Sequence, residues 1–258
     1  MPSENTARAI VLKTRPHGES DLLVFALTEE RGLMNCVAKG ALKSRRRFAG
    51  CFEPFNLLEV KYFQKETSSF ARIDSATILD AHAGIREDLA RITSGAVVVE
   101  LAYLMEAPGP GASELFALVG DTLLALDTSD APMDLMVVYV MRLMKLAGYM
   151  VPASACATCG LGLTLGPAYY RGGFGLYCPK CASGGLRLSQ GSLAFIRQAG
   201  AAEGKMAARL RLTPAMRDEM VEFIRGYAAH AASREIKSLS AKSFALIAPT
   251  RRLAPKSP

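Results

Sequence analysis

Cys156-Ala157-Thr158-Cys159 and Cys178-Pro179-Lys180-Cys181 are two CxxC motifs separated by 18 residues, and they are the most specific feature of this chain. A structural zinc ion takes four soft ligands in a tetrahedron, and two residues between cysteines let one tight turn present both sulfurs to the same ion. The spacing therefore predicts a four-cysteine zinc site. Because protein would fill all four positions, none is left for water or substrate, which argues against a catalytic zinc.

The segment between the two motifs is rich in glycine and has short apolar pieces around 163–165 and 174–177. This composition suits a small β-ribbon, over about 153–187, that buries too little surface to fold unaided, so metal binding would supply its folding free energy. The alternatives are ordinary cysteines or a redox motif. A redox motif would be a single CxxC in a βαβ context, so two motifs in a glycine-rich loop favour the structural metal. Cys36 and Cys51 have no such partners and are expected to be buried and inert.

Length and charge indicate the number of domains, the cellular compartment and the class of partner. At 258 residues, half of them apolar, the chain is expected to form two or three domains. It has no apolar run of about 18 residues and no signal-peptide core in residues 1–8, which predicts a cytoplasmic protein with reduced thiols. Of the net charge of +7, residues 151–258 carry 15 Lys and Arg against 5 Asp and Glu. This basic third predicts a polyanionic partner, with nucleic acid ahead of an anionic membrane surface, unless the charges only solvate the surface.

The first 80 residues have the pattern of a β-barrel. Five short runs rich in apolar residues are separated by turn signals: 9–12, 21–27, 33–38, 55–62 and 70–78. No long helix lies between them, which favours a small closed or partly open five-stranded barrel. The OB-fold is the five-stranded barrel that commonly binds single-stranded nucleic acid.

Beyond residue 80 the apolar spacing becomes helical. The predicted helices run from 85 to 107, from a Ser113 cap to about 126, from Asp130 or Asp134 to Ala147, and from caps at Ser189 and Thr213. Residues 81–258 are thus expected to form an all-α domain, with the metal module inserted between helices. The fold class is a multidomain α+β protein in which a barrel precedes this helical domain.

A basic segment lies between the third and fourth predicted strands. Its cationic side chains are Lys39, Lys43, Arg45, Arg46 and Arg47. On a barrel loop each could meet a phosphate without reading sequence, so we expect DNA binding here; a solvated loop is the alternative. Lys13 and Arg15 are weaker candidates for the same role. Phe48 and Phe52 are expected inside the barrel rather than stacked on bases.

The order of these motifs resembles the RecO family of bacterial recombination mediators. The resemblance rests on residues 9–15, 18–21, 27–33, 37–41, 44–45 and 52–55, on the four cysteines, and on a closing helix around 227–239. It implies an OB-fold, a helical domain with a cysteine zinc module, and no enzymatic turnover. It also implies single- and double-stranded DNA as partners in the bacterial cytoplasm, at the nucleoid. Such a protein anneals complementary strands and, with RecR, helps RecA displace the single-strand DNA-binding protein SSB; RecF would be a further partner.

The third predicted helix offers a hypothesis about the acidic, apolar tail of SSB. Arg142 and Lys145 stand among apolar residues there and could form a basic rim beside an apolar groove. The alternative is a core helix whose two cations reach solvent.

Other functional classes find less support. His17, His82 and His230 are far apart in the sequence, and no GxSxG, HExxH or GxxxxGK[ST] motif occurs. The strongest rival is a zinc-ribbon transcription or translation factor, which would share the basic charge and the CxxC pairs. A mediator should accelerate annealing without sequence preference, whereas such a factor should discriminate between sequences.

Overall fold

The computed structural model describes residues 4–44, 46–65, 68–105, 111–202, 204–207, 209–240 and 242. The chain begins with five strands: β1 (Glu4–His17), β2 (Asp21–Thr28), β3 (Gly32–Ala38), β4 (Leu57–Phe63) and β5 (Ala71–Asp80). They close into a barrel in the order β1-β2-β3-β5-β4, in which β3 and β5 are parallel and the other neighbours antiparallel. The predicted five-stranded, OB-like barrel is confirmed, and it is closed.

Alternate side chains of each strand fill the barrel, because successive residues of a strand point to opposite faces. Phe48 and Phe52, from the long loop between β3 and β4, complete this interior with their ring centroids 5.0 Å apart, as predicted. Cys36 and Cys51 are buried in the same interior. Burial raises the pKa of the Cys36 thiol to about 12 and also raises that of Cys51, so both thiols stay protonated. Their predicted burial is confirmed.

Helices follow the barrel, with a second small sheet between them. The helices are α1 (Leu89–Met105), α2 (Ala112–Asp127), α3 (Pro132–Leu146), α4 (Gln190–Ala201), α5 (Gly204–Ala207) and α6 (Pro214–Ala231). Between α3 and α4 lie β6 (Ala168–Tyr170), β7 (Leu176–Tyr177) and β8 (Leu186–Leu188), paired in the order β7-β6-β8. Short 3-10 helices occupy Ala41–Lys43, Ala83–Glu87 and Lys237–Leu239. The predicted insertion of the cysteine module between helices is confirmed.

The outer face of the barrel joins a second apolar core, which it shares with the helices. Ile10 and Leu12 of β1 point away from the barrel interior and belong to the helical core, where β1 packs on α1 and the Ile10 side chain lies beside Gly120 of α2. Arg86 adds a polar link, because its guanidinium donates to the carbonyl of Pro54 (2.7 Å) and to the side-chain oxygen of Asn56 (2.9 Å). Within the described residues, no helix is long and apolar enough to cross a membrane.

Several predicted helix starts are confirmed and others are wrong. Ser189 and Thr213 cap α4 and α6, with their side-chain oxygens accepting backbone N–H bonds from three residues ahead. Ser113, however, already lies inside α2, because the helical bonds begin at the carbonyl of Gly111.

The start of α3 also differs from the prediction. Its cap is Ala131, followed by Pro132 at the first helical position. Asp134 does not cap the helix, since its carboxylate bonds instead to Arg217 (2.9 Å) and to the backbone N–H of Leu212 (3.1 Å). Helix α1 starts at 89 rather than 85 because a 3-10 helix occupies the preceding turn.

Candidate metal centre and nucleic-acid interface

The four cysteines of the CxxC motifs converge on one point. Their Sγ atoms all lie within 4.8 Å of one another, and those of Cys159 and Cys178 are 3.8 Å apart. A tetrahedral ion with metal–sulfur bonds of about 2.3 Å requires sulfurs about 3.8 Å apart. A disulfide would need about 2.05 Å. The donor set and its spacing therefore fit a metal ion held by Cys156, Cys159, Cys178 and Cys181.

Each CxxC motif is a tight turn whose backbone supports the sulfurs. Gly160 N–H donates to the carbonyl of Cys156 (2.9 Å), and Cys181 N–H donates to that of Cys178 (3.0 Å). The amide of Cys178 also donates to the Cys156 sulfur at 3.4 Å. This bond, and next the amide of Cys159, lower the pKa of the Cys156 thiol to about 6. The same cluster raises the pKa of the Cys181 thiol to about 12, first through its bond with the Cys159 side chain. Metal ligands must be thiolates, so binding of a metal would release the protons that remain on the cluster.

The cysteine module also rests on the helices. Its buried apolar side chains join the same core as α3, α4 and α6: Leu163, Ala168, Tyr170, Leu176 and Leu188. The ring of Tyr170 lies 4.9 Å from that of Phe223 and 6.2 Å from that of Tyr227, both on α6. The apolar piece around 163–165 is a turn rather than a strand; Leu163 is buried whereas Leu165 is exposed. Helix packing thus supplies part of the stability that the sequence assigned to the metal alone.

The basic loop, residues 39–47, leaves β3 and runs beside the turn between β1 and β2. Leu42 N–H donates to the carbonyl of Ser20 (2.9 Å), and Gly40 N–H donates to the carboxylate of Asp21 (2.8 Å). These bonds fix the first half of the loop against the barrel. Its described cationic side chains are all exposed: Lys39, Lys43, Arg46 and Arg47.

Arg47 differs from the other cations of the basic loop. Its guanidinium lies 4.3 Å from the ring centroid of Phe48 and donates to the carbonyl of Lys39 at 3.3 Å. The side chain therefore holds the loop in shape while remaining exposed. Arg45 lies outside the described residues. The other predicted DNA-binding residues of this segment, Lys39, Lys43, Arg46 and Arg47, lie together on one exposed loop.

Lys13 and Arg15 occupy the second half of β1 in different settings. Lys13 is half-buried, with its ammonium 5.3 Å from the ring centroid of Tyr103 on α1. Burial lowers the pKa of Lys13, and repulsion from Arg15 lowers it further. Arg15 is exposed and pairs with Leu23, which in turn pairs with Val37 of β3. Two strand spacings, about 10 Å, thus separate Arg15 from the strand that leads into the basic loop.

Comparison with known proteins agrees with this architecture. Residues 1–82 match the family model "Recombination protein O N terminal", and residues 86–240 match "Recombination protein O C terminal". The chain belongs to the RecO family. It is 37% identical over 177 residues to the DNA repair protein RecO of Anaeromyxobacter sp. (strain Fw109-5), covering 67% of this chain and 68% of that protein. It is 31% identical over 232 residues to DNA repair protein RecO of Myxococcus xanthus, covering 90% and 93%.

In this RecO-family chain, Arg142 and Lys145 line a cavity of about 500 Å³ between α2, α3 and α4. Leu118 and Leu146 line the same cavity, so the two cations lie beside an apolar surface, as the hypothesis required. Two carboxylates, on Glu114 and Asp121, also line the cavity. The sequence did not reveal these two carboxylates as part of the site, because they belong to α2 and the hypothesis about the SSB tail was based on α3 alone. Most of α3 is buried core, as the alternative interpretation expected.

Sequence reasoning also missed an aromatic surface on the RecO-family barrel. Phe63 of β4, Phe70 before β5 and Arg72 of β5 line one depression. A signal was present, because residues 70, 72 and 74 alternate with the buried Ala71 and Ile73 and must therefore face outward together.

Proposed function

We propose that this protein is a DNA repair and recombination mediator that binds single- and double-stranded DNA and anneals complementary strands without catalytic turnover. The observation that carries the proposal is the exposed basic loop of a closed OB-like barrel, fixed against the β1–β2 turn and close to Arg15. Membership of a family whose similar members are named DNA repair proteins supports it.

Annealing needs a surface that brings two polyanionic strands together. Lysine and arginine side chains that neutralise phosphates release condensed counterions, which offsets the repulsion between the strands. Lys39, Lys43 and Arg46 are exposed cations on one loop and could contact phosphates without reading bases. The mechanism requires no nucleophile or general base.

The cysteine cluster is proposed to hold one structural zinc ion. Four thiols whose sulfurs lie within 4.8 Å of one another, with one pair at the 3.8 Å of a tetrahedral site, suit zinc, and all four positions are filled by protein. When bound, zinc would crosslink the two CxxC turns. The residues themselves orient the sulfurs through backbone bonds, so the ion supports the module rather than a reaction.

The proposed partners follow from the same role. With RecR the protein would help load RecA onto single-stranded DNA coated by SSB, with RecF as a further partner and RecA contacted indirectly. This work would take place in the bacterial cytoplasm, at the nucleoid. The family membership supports a recombination setting for these partners.

The cavity between α2, α3 and α4 is proposed to receive the acidic, apolar tail of SSB. Arg142 and Lys145 would meet its carboxylates, while Leu118 and Leu146 would contact its apolar residues. Arg142→Glu should weaken binding of an SSB-tail peptide, measured by fluorescence anisotropy. Asp121→Asn, which removes a negative charge from the same cavity, should strengthen it. Unchanged affinity in both variants would remove this cavity from the proposal.

The decisive experiment follows annealing of complementary SSB-coated oligonucleotides by fluorescence, across a salt series. The Lys39→Ala, Lys43→Ala, Arg46→Ala triple variant should slow annealing and reduce the salt slope of single-strand binding by about 2, since each phosphate contact contributes about 0.7. A control variant removes three exposed cations elsewhere, outside the CxxC turns: Arg187, Arg209 and Arg234. An equal loss in the control would mean that annealing responds to the total positive charge and not to contacts made by the barrel loop. Discrimination between DNA sequences, without annealing, would instead favour a zinc-ribbon factor.

A further inference from the structure

A depression of about 440 Å³ lies on the outside of the barrel, and its described lining includes no side chain of the basic loop. It is lined by Phe63, Lys65, Ser68, Phe70 and Arg72. The Phe70 side chain is 40% exposed, although an apolar ring of this size gains free energy from burial. Two phenyl rings and two cations thus share one concave surface.

Local hydrogen bonds hold Phe70 in this exposed position. The Ser68 hydroxyl donates to the carbonyl of Phe70 (2.8 Å) and accepts from its N–H (3.2 Å). The Gln64 amide donates to the carbonyl of Ser68 at 3.3 Å. On β5, two residues after Phe70, the Arg72 guanidinium lies 5.7 Å from the ring centroid of Phe63, its pairing partner on the neighbouring strand β4. The surface is therefore preorganised rather than a loose apolar loop.

Strand register connects this depression to the basic loop. Arg72 of β5 pairs with Val37 of β3, and Lys39 follows two residues later. With about 4.8 Å between strands and about 3.3 Å per residue, the backbone of Arg72 lies about 8 Å from that of Lys39. The Asp74 carboxylate forms an exposed ion pair with Arg72 at 3.8 Å and offsets part of its charge. Lys65 and the cations of the basic loop still make this side of the barrel positive. The aromatic surface therefore continues the positively charged one.

We propose that Phe63 and Phe70, with Lys65 and Arg72, form a nucleobase-stacking site for single-stranded DNA. The proposal rests on the DNA-binding function inferred above and adds the form of DNA that this surface selects. Bases of a single strand can stack on aromatic rings while cations meet the flanking phosphates. Bases of a duplex are already stacked on each other and cannot reach the rings. The basic loop thus serves both forms of DNA, whereas the aromatic surface serves the single strand.

Tryptophan fluorescence can test the stacking directly, because the chain contains no Trp. Phe70→Trp places one fluorescent reporter in the site, at the start of β5. Leu79→Trp places a control reporter near the other end of β5, where Leu79 is 49% exposed. Saturating oligo(dT) should quench the Trp at 70 and leave the Trp at 79 unchanged, and a duplex should quench neither. Equal fluorescence of the Trp at 70 with and without bound oligo(dT) would overturn the proposal.

Affinity measurements separate this site from the general DNA-binding function. Phe70→Ala should weaken oligo(dT) binding by about 5- to 150-fold, the effect of losing one stacked base, with duplex binding unchanged. Leu79→Ala should change neither, and Phe70→Tyr should retain tight binding because it keeps an aromatic face. Normal single-strand affinity of Phe70→Ala would overturn the stacking site alone. Absence of all DNA binding by the unmodified protein would overturn both proposals.

Discussion

The barrel and the cysteine module are both small β structures, but they are stabilised in different ways. The barrel strands have 7 to 14 residues, each has a neighbour on both sides, and their own side chains fill the interior. The strands of the module have 3, 2 and 3 residues, and its buried side chains belong to the helical core. A closed barrel leaves no open edge, whereas a short sheet needs a covering element or a crosslink.

This difference shows which of the two regions needs a metal ion for its stability. In the barrel, the two cysteines are apolar filling inside a completed interior. In the module, four cysteines face one another at tight turns, on a sheet too short to support them. The same residue type therefore packs in one region and crosslinks in the other.

The largest expected effect comes from removing the sulfur cluster. Cys156→Ser combined with Cys178→Ser should abolish metal binding, whose apparent free energy for structural zinc is about 10 kcal/mol or more. Amide hydrogen exchange should show lost protection across 155–188, while the barrel strands stay protected. Cys51→Ser, the barrel control, should cost about 1 kcal/mol and leave the metal content unchanged. Full protection of the module after metal loss would break the comparison.

An intermediate effect is expected from the helical support of the module. The Asp134 carboxylate is buried and bonds to Arg217 at 2.9 Å and to the N–H of Leu212 at 3.1 Å, which joins α3 to the start of α6. Asp134→Ala should lower the free energy of unfolding by about 3 kcal/mol, the lower end for a buried pair because Arg217 is 32% exposed. Denaturant titration measures this change.

The matched control for that variant is Asp130→Ala. Asp130 pairs with Arg211 at 3.4 Å but is 89% exposed, so its loss should cost about 0–1 kcal/mol. If both variants have equal stability, the buried pair does not support the helices. If Asp134→Ala also lowers exchange protection in the module, helix packing is one of its two supports.

The smallest expected effect lies in the barrel and depends on pH. The N–H of Gly40, and next the hydroxyl of Ser20, lower the pKa of Asp21 from its usual 3.8. Because the folded pKa is below the unfolded one, the carboxylate contributes stability above about pH 4, and this contribution is lost as the pH falls through the folded pKa. The stability difference between the unmodified protein and Asp21→Asn should therefore shrink below that pH.

Unfolding measured across a pH series checks this prediction, with Glu19→Gln as a control for the change of charge. A difference that stays constant down to acid pH would mean that Asp21 does not hold the basic loop through its charge. The protection factor of the Gly40 amide, which corrects for the slower intrinsic exchange in acid, should fall over the same pH range, since the bond to Asp21 weakens on protonation.

The sequence by itself determined the features that depend on neighbouring residues. The CxxC spacing predicted the sulfur cluster, because two residues suffice to close each turn. Alternation and turn residues predicted the five barrel strands, and Ser189 and Thr213 predicted two helix starts through bonds that reach only three residues ahead.

Only the tertiary structure decided the contacts between residues distant in the chain. Asp134 meets Arg217, 83 positions away, instead of capping its helix. The cysteine module lies on the helical core, and Arg72 comes beside Val37 because β3 and β5 pair in parallel. Local patterns determine what a segment becomes, but register and packing determine which segments meet. The proposed surface for single-stranded DNA belongs to one hairpin, formed by β4 and β5, but it comes beside the basic loop only because β3 pairs with β5.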